Sequence, residues 1–141
     1  MGQRRVRSVV VFITWLAAIV FVPAETYLTF VGPPYPLPGV GELSGYAVNV
    51  LGAGLAVWGA QALRRGKSYA EGFLAAGWAW TTAAAWRATN LRYWYAAEIG
   101  ELDFGRVELW VGPLFVIVAA VALIGSLVLL AGRGGGPGGS A

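Results

Sequence analysis

Four long apolar stretches alternate with short polar connections and take up most of this chain. The four stretches cover approximately residues 8–31, 44–63, 68–95 and 109–131. Each is long enough to cross a hydrocarbon core, which takes about 20 residues of helix. The pattern therefore predicts an all-α integral membrane protein, a bundle of four transmembrane helices in a single domain over 1–132, with a Gly-rich tail over 133–141.

The composition agrees with a chain that lies mostly in lipid. It also limits which catalytic and ligand-binding side chains the protein has. Hydrophobic residues make up 57% of the 141 positions and charged residues 12%, with no cysteine and no histidine. Disulfides, thiol catalysis and imidazole bases are therefore excluded, and we expect no haem, chlorophyll or metal held by His or Cys. Which cofactor binds, if one does, is unknown; contact with lipid, a quinone or a carotenoid remains open.

Most charged residues, thirteen of the seventeen, divide between the two sides of the membrane by sign. The basic residues of one side are Arg4, Arg5, Arg7, Arg64, Arg65, Lys67 and Arg133. The acidic residues of the other side are Glu25, Glu42, Glu98, Glu101, Asp103 and Glu108. Because basic residues collect on the cytoplasmic side, both termini are predicted to be cytoplasmic, in a bacterial cytoplasmic (inner) membrane. The few juxtamembrane basic groups do not predict nucleic-acid binding.

The start of the chain allows a second interpretation. Three arginines precede an apolar core, and Val22-Pro23-Ala24 offers small residues at a cleavage position, as in a signal peptide. We expect the first span to be retained, with cleavage as the alternative.

Two ionisable residues, Glu25 and Arg87, lie within the predicted spans. At about 1.5 Å per residue, Glu25 lies about 26 Å from Ser8 and Arg87 about 28 Å from Ser68. Both positions are near the outer edge of a hydrocarbon core about 30 Å thick, where Arg87 can reach the headgroups. Their shared depth predicts an ion pair between Glu25 and Arg87 if the first and third helices touch, with Arg92 as a competing partner.

The second span carries a row of small residues at helical spacing. Gly52, Ala56 and Ala60 recur every four residues, beside a neighbouring row that contains Gly45 and Asn49. Small residues let helix backbones approach closely in membranes, and a buried amide bonds a neighbouring helix. We therefore predict helix packing along this face, with Asn49 hydrogen-bonded to another helix.

The third span is rich in tryptophan, and the chain has seven tryptophans in all. An aromatic belt at the membrane surface explains some of them, but Trp78 and Trp80 lie too deep for it. They are expected to pack against a helix, a lipid tail or an apolar ring-containing ligand. The residues predicted to contact partners or lipid are Trp78, Trp80, Trp86, Arg87, Arg92, Trp94 and Trp110.

Short motifs of the second and third spans resemble those of small bacterial fluoride channels, which are also four-helix proteins. The matching stretches are 48–52 (Val-Asn-Val-Leu-Gly), 72–74 (Gly-Phe-Leu) and Thr81-Thr82. The resemblance implies that Asn49 lines an anion path. The family's glycine-rich first-span motif is absent, and its Thr-Thr-Phe-Ser break is replaced by 81–85 (Thr-Thr-Ala-Ala-Ala).

The acidic groups do not form a recognisable enzyme site. Glu98, Glu101 and Asp103 are spaced by three and two residues, which is typical of a solvated face or a weak cation site. We therefore predict a non-catalytic accessory or scaffold subunit of a larger membrane complex, by analogy with respiratory and photosynthetic assemblies. Its partners would be lipid and other membrane subunits. The alternative is a small self-contained homo-oligomeric ion channel or transporter.

Overall fold

The computed structural model describes residues 2–30, 40–100, 103 and 108–134. Four α-helices account for nearly all of them: α1 (Gly2–Phe30), α2 (Val40–Arg64), α3 (Ala70–Glu98) and α4 (Glu108–Gly134). Most of the connection between the first and second predicted spans, residues 101–102 and 104–107 between the third and fourth, and most of the Gly-rich tail lie outside the described residues. At 25 to 29 residues, each helix exceeds the length that a hydrocarbon core requires.

Each helix runs antiparallel to the next, and α4 packs back against α1, so the helices form a closed square. Phe21 of α1 stacks on Phe115 of α4, with ring centroids 4.1 Å apart. Across one diagonal, the indole nitrogen of Trp78 in α3 donates to the hydroxyl of Thr14 in α1 at 3.1 Å. The all-helical prediction is therefore confirmed for the described part of the chain.

Three segments are long and apolar enough to cross a membrane: Gly2–Tyr27, Leu43–Arg64 and Leu109–Gly132. Among the described helices, α3 does not reach the same hydropathy, because Trp, Thr, Asn and Arg residues alternate with its alanines. Length and composition alone thus identify three candidate spans, and the placement of α3 in a membrane has to be argued from its packing.

The closest backbone approach in the bundle is between α2 and α3. A Cβ atom added at Gly77 would lie 2.4 Å from the backbone nitrogen of Ala56, and one added at Gly59 would lie 2.5 Å from that of Leu74. Glycine is therefore required at Gly59 and Gly77 for the two backbones to lie this close. At Gly52 the nearest atom is a side-chain one, the Thr81 hydroxyl oxygen at 2.9 Å.

The residues predicted to pack helices divide between two environments. Gly52, Ala56 and Ala60 are buried where α2 meets α3. Gly45 has open space around it, since a Cβ atom there would meet no atom within 4 Å. Asn49 faces α1 and belongs to the polar cluster described below.

The turn between α2 and α3 has a fixed backbone conformation. Gly66 has φ of 68°, its N–H donates to the carbonyl of Leu63 at 3.1 Å, and the N–H of Lys67 donates to that of Ala62 at 3.0 Å. These two bonds form a Schellman motif, which needs a left-handed residue at Gly66. The guanidinium of Arg7 also donates to the Leu63 carbonyl and joins the start of α1 to this turn.

Candidate functional site

A polar cluster centred on Glu25 joins three helices of the bundle. Arg92 of α3 donates to both carboxylate oxygens of Glu25, at 3.2 and 3.3 Å. The side-chain amide of Asn49 in α2 donates to the same carboxylate at 3.1 Å. Glu25 and Arg92 are each about a quarter exposed. The carboxylate thus has donors from α2 and α3, as a charge in a low-dielectric setting requires.

The predicted pair between Glu25 and Arg87 is replaced by the competing pair with Arg92. The depth of Arg87 in the membrane follows from the sequence, but the side of α3 from which its side chain projects does not. Five residues separate Arg87 from Arg92, which turns their side chains about 140° apart around a helix. Arg92 consequently faces α1, whereas Arg87 is exposed on the outside of the bundle.

Trp78 packs against helices in the core, which was one of the expectations from sequence, and it is therefore not one of the contacts for partners or lipid. Its side chain is 2% exposed, and its N–H is bonded to Thr14. The Thr14 hydroxyl in turn donates to the Val10 carbonyl at 2.8 Å. A tryptophan here fills the bundle centre while all its polar atoms are satisfied, which suits core packing.

Two small cavities adjoin the cluster, and Glu25 and Asn49 line both of them. The inner one, of about 30 Å³, extends to Trp78 and Thr81, and the outer one, of about 20 Å³, extends to Arg92. Each holds at most a few water molecules. A pocket for a ring-containing ligand measures about 300 Å³ or more, so a quinone or carotenoid would have to bind outside these cavities.

The remaining residues predicted to contact partners or lipid lie on the outer surface. The exposed ones are Trp80, Trp86, Arg87, Trp94 and Trp110. Four of these five belong to α3. Arg92 is the exception among the predicted charged contacts, because its guanidinium is engaged with Glu25.

Sequence reasoning missed three features of the bundle. Gly59 and Gly77 set the α2–α3 distance, and the i, i+4, i+7 spacing of Gly52, Ala56 and Gly59 was the signal that could have found the first. Arg7 was assigned only to topology, although it also binds the end of α2. An aromatic group formed by Trp58, Tyr69 and Phe73 has rings from two helices, and no local pattern predicts it.

The arrangement brings a carboxylate, a guanidinium and an amide together between three helices. Within the described ranges, no group of three or more His, Cys, Asp or Glu side chains is placed to hold a metal ion. Comparisons with known protein families, with curated proteins and with solved structures found no match for this chain.

Proposed function

We propose that all four helices cross a bacterial cytoplasmic membrane, with both termini on the cytoplasmic side, and that the chain is a non-catalytic accessory or scaffold subunit of a larger complex. The host is of the kind found in respiration or photosynthesis. The outward side of α3 is the surface that contacts the partner.

The packing of α3 supports its placement in the membrane. This helix lies between α2 and α4 and is antiparallel to both, and these neighbours carry two of the three apolar segments. Gly77 and Gly112 bring its backbone and the Thr89 side chain into direct contact with those neighbours. A helix held this way spans the same thickness as the helices beside it, and the tryptophans of α3 suit the membrane interface.

One observation carries the subunit proposal: the exposed side of α3 differs from the exposed sides of α1 and α4. Apart from Trp110, the exposed large side chains of α4 are aliphatic, namely Leu114, Ile117, Val121, Ile124, Leu127, Val128 and Leu130. Beside its tryptophans and Leu91, α3 exposes small or polar residues, namely Gly72, Ala76, Ala79, Ala83, Arg87, Asn90, Ala97 and Glu98. Aliphatic faces suit lipid tails, whereas small residues and an amide suit a neighbouring helix.

The two halves of this α3 face suit different parts of a partner. Small residues on the half near the α2–α3 turn allow a second backbone to approach closely. Arg87 and Asn90, about 26 and 30 Å along the helix from Ala70, lie at the outer edge of the hydrocarbon core. A polar or acidic group on the partner would satisfy Arg87 there better than lipid tails do.

Bulky substitutions on the α3 face are expected to release the partner without unfolding the chain. Ala76→Leu with Ala83→Leu adds volume at two exposed positions seven residues apart. Overpacking costs about 1–3 kcal/mol per site, so the amount of copurified partner should fall about tenfold or more. The measurement is quantitative mass spectrometry of the tagged protein extracted from its own membranes.

The control places leucine at two exposed positions on α4, where each valine gains one methylene group. Val121→Leu with Val128→Leu also lies on exposed positions seven residues apart and should leave copurification unchanged. Equal retention of partners by the α3 and α4 variants would contradict the α3 face as the contact surface.

The polar interior favours one alternative, a self-contained homo-oligomeric ion channel or transporter. Glu25 and Asn49 line both cavities, and polar residues inside a membrane commonly mark ion pathways. Under this alternative, Asn49→Ala would fold but lose ion flux in liposomes that contain the purified chain alone. The subunit proposal expects no ion flux in these liposomes from the unmodified chain or from the Asn49→Ala variant.

A further inference from the structure

Three aromatic rings cluster on the outside of the bundle where α2 turns into α3. The ring centroid of Trp58 lies 4.8 Å from that of Phe73 and 6.4 Å from that of Tyr69, and the last two are 5.6 Å apart. Trp58 and Tyr69 are about half exposed. The rings therefore form an apolar surface that the bundle itself leaves uncovered.

Three basic residues lie at the end of α2 and in the turn between Trp58 and Tyr69 along the chain. Arg64, Arg65 and Lys67 are exposed, and the Schellman motif at Gly66 fixes the backbone that carries them. Arg65 follows Trp58 by seven residues, so the two lie on the same side of α2. Arg7 is not part of this group, because it donates to the Leu63 carbonyl.

The distance between the cations and the rings matches the layers of a membrane surface. Seven residues of helix separate Arg65 from Trp58 by about 10 Å along the axis. The headgroup layer on each side of a bilayer is about 5–8 Å thick, beyond a hydrocarbon core of about 30 Å. With the cations among the phosphates, the rings lie beside the glycerol and the first acyl carbons, where Trp and Tyr are favoured.

We propose that this corner binds one anionic phospholipid of the phosphatidylglycerol type. The cations hold the phosphate, and the three rings pack along the upper part of an acyl chain. A free phosphate would leave the rings uncovered, and a zwitterionic lipid would bring its own cation to the three basic groups. The inference rests on the membrane placement proposed above and not on the subunit role.

The test measures quenching of tryptophan fluorescence by brominated lipid. The full chain is reconstituted into phosphatidylcholine vesicles that contain a series of matched fractions of either brominated phosphatidylglycerol or brominated phosphatidylcholine. Comparison with the Trp58→Phe variant isolates the Trp58 signal from the other tryptophans. We expect Trp58 to be quenched by phosphatidylglycerol at a bulk fraction about tenfold lower than by phosphatidylcholine.

Two variants with several substitutions each test which cations cause the preference for phosphatidylglycerol. Arg64→Gln, Arg65→Gln and Lys67→Gln together should abolish it, since the turn is formed by backbone bonds and survives these changes. Arg4→Gln with Arg5→Gln removes exposed cations at the same end of the bundle and should keep it. Circular dichroism checks that both proteins stay helical; if the turn variant unfolds, Arg65→Gln alone replaces it and should weaken the preference.

Three results would overturn this assignment. Equal quenching by the two brominated lipids, a preference that survives loss of the turn cations, or an equal loss on removal of Arg4 and Arg5 would each reject the site. Failure of the chain to insert into vesicles would instead reject the membrane placement, and the site with it.

Discussion

Replacing Gly77 with alanine is expected to destabilise the bundle by about 2–3 kcal/mol, although alanine is the better helix former by about 1 kcal/mol. The added methyl group would lie 2.4 Å from the backbone nitrogen of Ala56 and 2.7 Å from its Cα atom. Backbone atoms cannot rotate away as a flexible side chain can, so α2 and α3 must separate. Unfolding by denaturing detergent, followed by circular dichroism, measures the change.

Gly72 provides the control for this prediction, because it belongs to the same helix and has open space around it. Gly72→Ala should leave stability unchanged or raise it by up to about 1 kcal/mol. If Gly77→Ala proved as stable as Gly72→Ala, the close α2–α3 contact would be wrong.

Replacing Arg92 with glutamine should cost about 1–3 kcal/mol, since it leaves the Glu25 carboxylate with Asn49 as its remaining identified donor. The cost is limited because both side chains are about a quarter exposed. Glu25→Gln in the Arg92→Gln background should therefore cost less than Glu25→Gln alone. A double-mutant cycle on unfolding free energy measures this coupling, which we expect to be about 1 kcal/mol or more.

A double-mutant cycle of Arg87→Gln with Glu25→Gln is the control for the cycle with Arg92→Gln. Its coupling to Glu25→Gln should stay within about 0.5 kcal/mol, because Arg87 is exposed and faces away from α1. Stronger coupling to Arg87 than to Arg92 would reverse the assignment of the pair.

The helices could be predicted from sequence because their cause is local. Long runs of apolar residues interrupted by Gly, Pro and charge specify where a chain can cross lipid and where it must turn. α3 was included on its alanines and tryptophans, although its hydropathy is lower than that of its neighbours. Each described helix continues past its predicted span at one end or at both, since polar residues such as Arg4 and Arg5 are good helix formers outside hydrocarbon.

The contacts between helices could not be predicted in the same way, because they depend on rotation about each helix axis. Depth alone does not distinguish Arg87 from Arg92, or an exposed Trp80 from a buried Trp78. Two residues along a helix turn a side chain by about 200°, which is enough to move a tryptophan from the lipid surface to the core. The small residues of α2 indicated a packed face, but only the structure identifies α3 as the neighbour.

The proposed lipid site and the α3 face proposed to contact the partner lie on different parts of the bundle. The Trp58, Tyr69 and Phe73 group lies at the α2–α3 turn, whereas Arg87 and Asn90 lie toward the opposite end of α3. Lipid binding at the turn can therefore occur with or without a partner on the α3 face.

Native mass spectrometry of the tagged protein, gently extracted from its own membranes, tests the subunit proposal most directly. We predict an assembly that contains other membrane proteins in fixed stoichiometry and that is lost in the Ala76→Leu, Ala83→Leu variant. A monomer or a homo-oligomer of this chain alone would contradict the proposal and favour the channel or transporter alternative.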